Sequence, residues 1–154
     1  VLLLPNPGVV ARRDTAALTF SWTLSLPFGP DTSCVAASWS QGGSSLYRRY
    51  RAAKPLRVVI EPGFAIAVMS NDAWLFVRPG LRYIWQRLPS GAGIGAGIGS
   101  TFSWAQYRGG AASLSPELLL QSGSPHLLIA IRFEHPVAGR EPAALVASIG
   151  ATVW

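Results

Sequence analysis

The 154-residue sequence is short of charge, cysteine, histidine and long apolar runs, and each shortage closes off a class of protein. A single cysteine, Cys34, forms no internal disulfide, and no Cys/His spacing of the metal-binding kind is present. The two histidines, His126 and His135, stand at opposite ends of one expected strand, roughly 30 Å apart at ~3.3 Å per residue, too far to share an ion. No G-x-S-x-G elbow occurs. The carboxylates Asp14, Asp31, Asp72, Glu61, Glu117, Glu134 and Glu141 mostly neighbour Pro or Gly, where turn capping is the ordinary role. No enzyme activity, metal or cofactor is expected. No stretch approaches the ~20 apolar residues of a spanning helix. The opening "VLLLPNPGVV" has no basic flank and is broken by two prolines, so neither a signal peptide nor a membrane partner is expected.

Charged residues make up 13% of the chain and hydrophobic ones 49%, against about 25% charged in an ordinary soluble domain. Too little charge is present to cover a monomer, so some apolar surface is expected to meet a partner. The charge present is lopsided: 13 cationic residues, of which only Lys54 is lysine, face seven acids, for a net +6. Arginine forks suit phosphate or subunit contacts.

What is abundant is alternation. In "LTFSWTLSL", Leu18, Phe20, Trp22, Leu24 and Leu26 share one face, and Thr19, Ser21, Thr23 and Ser25 share the other. The apolar face is assigned to the core. "LRVVIEP" and "AWLFVRP" read as strands closed by Pro and Gly, and "TFSWAQY" and "ASLSPELLLQS" as further strands. "HLLIAIRFEH" puts Leu127, Ile129, Ile131 and Phe133 on one face, and "AALVASIGATVW" ends the chain in the same way. "SSLYRRYRAA" reads as a short capped helix, and "RYIWQRL" fits helix or strand. The repeat "GAGIGAGIGS" matches no phosphate-loop pattern and reads either as a loop or as a closely packed strand with bare backbone on one face.

Seven or eight strands with at most two short helices exclude an α/β sheet and leave a sandwich, barrel or jelly roll. Residues 1–14 are expected as an extended arm and 15–154 as one domain. Arg12, Arg13, Arg48, Arg49, Arg51 and Lys54 are the candidate nucleic-acid contacts, the cluster being interleaved with Tyr47 and Tyr50; a solvated helix face is the alternative.

Two passages carry a family resemblance. "SSLYRRYRAAKPLRVVIEPG", and "GSPHLLIAIRFEHP" followed by "EPAALVASIGATVW", resemble in order and spacing the coat proteins of tymoviruses and their relatives, and "WLFVRPG" between them fits the same pattern. The resemblance implies an all-β, eight-stranded jelly-roll β-sandwich with one or two short helices in its connecting loops. It also implies a structural capsid role: self-assembly with identical subunits into an icosahedral shell around single-stranded genomic RNA, in the virion and the host cytoplasm. A carbohydrate- or ligand-binding sandwich, with Trp22, Trp39, Trp74, Trp85, Trp104 and Trp154 as sugar platforms, and a non-viral RNA-binding barrel are the alternatives.

Overall fold

A computed structural model describes residues 5–29, 54–70, 72–87, 92–106, 109–122 and 127–151. These form β1 (Asn6–Arg12), β2 (Ala16–Ser21), β3 (Leu24–Phe28), β4 (Leu56–Ala67), β5 (Ala73–Arg87), β6 (Ala92–Ala105), β7 (Gly109–Gln121), β8 (Leu127–Ala138) and β9 (Ala144–Ala151). The all-β expectation holds, and no helix occurs among the described residues. The helix expected over 44–53 and the strand or turn expected over 32–39 lie outside them.

Every pairing is antiparallel, and from β3 to β9 each strand pairs with the next in sequence. β1 then joins β9 to β2, and β2 pairs with β4, so the sheet closes on itself. β2 and β3 lie end to end against β4 in one register, so the nine segments make eight staves. This is an up-and-down barrel. It differs from the jelly roll implied by the resemblance, in which Greek-key crossings divide the strands between two sheets. Within the arm expected over 1–14, Asn6–Arg12 form β1, held between β2 and β9.

The registers fix the barrel's stagger. A single row runs Leu56, Tyr83, Ala96, Leu118, Ile131, Ala147, Val9, Leu18 and back onto β4 at Ile66, a displacement of ten residues. With strands ~4.8 Å apart and a rise of ~3.3 Å per residue, that stagger over eight staves tilts them about 40° from the axis. Eight staves leave an interior just wide enough for side chains to fill.

The strands run through residues that the sequence offers as terminators. β4 continues past Pro62 and β5 past Pro79, so "RYIWQR" is strand, and the glycine repeat from Ala92 on is strand β6. Proline has no N–H to give a ladder, and the pairing shows it: the β5–β6 ladder skips Arg78 and Pro79, and the β7–β8 ladder skips Ser115 and Pro116.

The faces are the reverse of those expected. Ala17, Thr19 and Ser21 are buried, at 2%, 5% and 4% exposure, while Leu18 is 48% exposed. The same inversion recurs around the barrel: Val58, Ile60, Leu81, Trp85, Ile94, Trp104, Leu118, Ile131 and Leu145 all face outward. Two modest apolar clusters fill part of the lumen, one around Val10, Ala65, Trp74 and Val146, the other around Ile84, Leu119 and Ala130.

Candidate functional site: a buried ion-pair belt inside an apolar barrel wall

The middle of the lumen is occupied by charge. Glu61 of β4, Arg78 and Arg82 of β5, Glu117 of β7 and Arg132 of β8 are all buried, and alternation places each on the inward face of its strand. Arg82 donates through Nε to Glu117 Oε1 at 2.7 Å and through Nη2 to Glu61 Oε1 at 2.8 Å. Arg132 reaches Glu117 Oε2 at 3.0 Å and Glu61 Oε2 at 2.6 Å. Arg78 meets the same two oxygens at 3.2 and 3.1 Å and also donates to the backbone carbonyl of Ser115 at 3.1 Å. That carbonyl lies where the β7–β8 ladder is interrupted, so a lumenal guanidinium supplies a donor there.

Neutral donors extend the belt. Thr23 Oγ1 donates to Glu61 Oε1 at 2.8 Å and accepts from Asn6 Nδ2 at 2.8 Å. Thr101 Oγ1 donates to Glu134 Oε1 at 2.9 Å and lies 2.8 Å from Ser115 Oγ. Buried charges are tolerated only when paired and hydrogen-bonded, and this network meets that condition by sharing each carboxylate among several guanidiniums.

The glycine repeat makes the belt possible. Gly93, Gly95, Gly97 and Gly99 face inward, and Ile94, Ala96 and Ile98 face outward. A Cβ on Gly97 would lie 2.9 Å from Glu117 Cγ, and one on Gly99 would lie 3.0 Å from Arg78 Cζ. The bare backbone of β6 is the space into which the side chains of β5 and β7 fold.

Among the strand residues whose side chains are described, no charged one faces outward. The outer wall carries Leu, Ile, Val, Ala, Pro and aromatics, with Ser100 and His135 among its few polar members. Tyr83 and Trp85 stand toward one end and Phe102 and Trp104 toward the other. Trp74, by contrast, is inside.

Of the expected nucleic-acid residues, the three that are described, Arg12, Arg13 and Lys54, do not lie together. Arg12 ends β1, is ion-paired with Glu141 and lies 4.5 Å over the ring of Trp74, while Arg13 is exposed in the turn that follows. Lys54 is half-buried and enters β4 at the opposite end, and the 12 residues of β4 separate the two ends by about 30 Å at the tilt above. Arg48, Arg49 and Arg51 lie outside the described residues.

The belt was not singled out in the sequence. Reading Glu61 and Glu117 as turn caps because proline adjoins each of them hid it. The available signal was parity: Arg57 and Glu61 alternate against Val58 and Ile60, and Arg132 and Glu134 against Ile131 and Phe133. No group of three or more His, Cys, Asp or Glu suited to a metal occurs among the described residues. No family model, no curated protein and no solved structure matches this chain.

Proposed function

We propose that this chain is an integral membrane β-barrel whose apolar outer wall sits in lipid. The observation that carries the reading is the inverted wall: every charged strand residue whose side chain is described turns into the lumen, and large apolar side chains cover the outside on every strand. In water such a surface far exceeds the few hundred Å² of apolar patch that a soluble monomer ordinarily shows. In a bilayer it is the required arrangement, because a closed barrel satisfies its backbone internally and meets lipid only with side chains.

The dimensions agree. β4 to β8 are 12 to 15 residues long, against the ~9–11 tilted residues that cross a hydrocarbon core. Aromatics toward both ends suit the two interfaces. No described helix is long and apolar enough to cross a membrane, and a barrel needs none.

A lumen filled by the ion-pair belt and two apolar clusters favours a membrane-embedded support over a conduit. Its connections are then the parts that meet partners. The longest, residues 29–55 between β3 and β4, carries Arg48, Arg49, Arg51 and Lys54.

This reading departs from the shell subunit implied by the resemblance and from the expectation of no membrane partner, and one experiment separates them. The urea-denatured chain is diluted into phospholipid vesicles or into aqueous buffer alone. A β-rich, protease-protected monomer that floats with the vesicles is the expected result. Closed shells of many copies in buffer, with no vesicle association, would instead support the coat-protein reading.

A further inference from the structure

Among the described ladders that join β4 to β9 in sequence order, those interrupted are the pair that border the β6–β7 hairpin. The β4–β5, β6–β7 and β8–β9 ladders are paired residue by residue from end to end. The β5–β6 ladder instead passes from Val77 and Phe102 directly to Gly80 and Gly99, and the β7–β8 ladder from Leu114 and His135 directly to Glu117 and Arg132. The β7–β8 ladder also shifts register at Ala112 and Ser113.

Each gap holds a proline that turns its missing donor into it. Successive residues of an antiparallel strand bond to opposite neighbours. Asp72, in line with β5, accepts from the N–H of Ala67 on the β4 side, so Pro79 faces β6. Ser122, in line with β7, donates to the carbonyl of Leu127 of β8, so Pro116 faces β8.

Inside the barrel, side chains of the same gap residues take over. Arg78 Nη2 donates to the Ser115 carbonyl at 3.1 Å, and Thr101 Oγ1 donates to Glu134 Oε1 at 2.9 Å. Beside them, Glu117 of β7 is held by Arg78 and Arg82 of β5 and by Arg132 of β8, at 3.2, 2.7 and 3.0 Å. At mid-strand the hairpin is therefore tied to both neighbours through the lumen where the sheet does not tie it.

We propose that the β6–β7 hairpin opens from the barrel wall as one cooperative unit, with Glu117 as its lumenal latch. Such sub-global units commonly coincide with supersecondary motifs. The hairpin supplies Thr101, Ser103 and Ser113 to a lumenal cavity that Arg78, Arg132 and Glu134 also line, so its opening joins that cavity to the surroundings of the barrel. The inference rests on the ladders and not on the medium around them, so it stands or falls separately from the membrane reading.

Amide hydrogen exchange of the folded chain, in micelles or in buffer, tests it. Amides that bond across the β5–β6 and β7–β8 ladders should exchange about tenfold or more faster than those that bond between β6 and β7, or within the β4–β5 and β8–β9 ladders. Glu117→Gln takes the charge from the latch and should speed exchange across both bordering ladders by roughly 10- to 100-fold. Pro116→Ala returns an N–H to the β7–β8 gap and should slow exchange across that ladder, a result that stands even if Glu117→Gln does not fold. Equal protection in all ladders, bordering ladders unchanged in folded Glu117→Gln, or no slowing in Pro116→Ala would each overturn the proposal.

Discussion

At the scale of single residues, the inward and outward neighbours of one strand should respond oppositely to the same chemistry. Ile131 faces out at 43% exposure and Arg132 faces in at 4%. In a bilayer, Ile131→Arg places a charge near mid-height of the wall and should cost ~2–4 kcal/mol. Glu117→Ala leaves three buried guanidiniums sharing one carboxylate and should cost ~3–5 kcal/mol, because the uncompensated charge remains buried. Ser21→Ala, on the same inward face, removes one small hydroxyl and should cost under ~1.5 kcal/mol. Urea titrations of the three variants in one micelle system check the order. Equal losses for Ile131→Arg and Ser21→Ala would mean that the wall is not in contact with an apolar medium.

At the scale of elements, β6 states the design of the barrel most openly. Ala96 and Gly97 are adjacent, yet Ala96→Val adds bulk to the exposed outer wall, whereas Gly97→Ala drives a methyl toward Glu117 and the carbonyl of Leu81, each 2.9 Å or less from it. The first should shift stability by less than ~0.5 kcal/mol, and the second should lower it by ~1–3 kcal/mol. Denaturant midpoints of the two variants measure the difference. The strands were legible in the sequence because alternation survives in any medium; "LTFSWTLSL", "LRVVIEP" and "HLLIAIRFEH" all lie mainly in strand. The direction of each face was not legible from one strand alone, since a period of two marks two faces without saying which is central. The assumption that the apolar face lines the core reversed the assignment of Phe20, Trp22 and Ser21. Proline misled at the ends of strands: Pro79 interrupts the β5–β6 ladder but keeps its pairing with Ile60 on the other side, and Pro62 stays paired with Val77, so neither ends a stave.

At the scale of the whole molecule, the low charge content and the inverted faces have one cause. A barrel that turns its charges inward needs only enough of them to fill a narrow lumen, so 13% charged residues suffices where a water-exposed surface would require more. The tryptophans report on this arrangement directly, because they sit in three environments of one barrel. Trp85 and Trp104 face outward at 58% and 53% exposure toward opposite ends, and Trp74 lies inside at 6%. Variants retaining one of these tryptophans, with the others replaced by Phe, should be reconstituted into vesicles whose acyl chains carry bromine at chosen depths. Trp85 and Trp104 should each be quenched, most strongly by bromine near the headgroups, since each stands toward an end of the wall. Trp74 should be quenched least, since the stave of β5 and the guanidinium of Arg12 lie between its ring and the lipid or solvent. Quenching of Trp74 equal to that of Trp85 would show that the faces of β5 are the other way round. Absence of quenching at both outer positions would place the wall against protein instead of lipid, as a packed assembly of identical subunits requires.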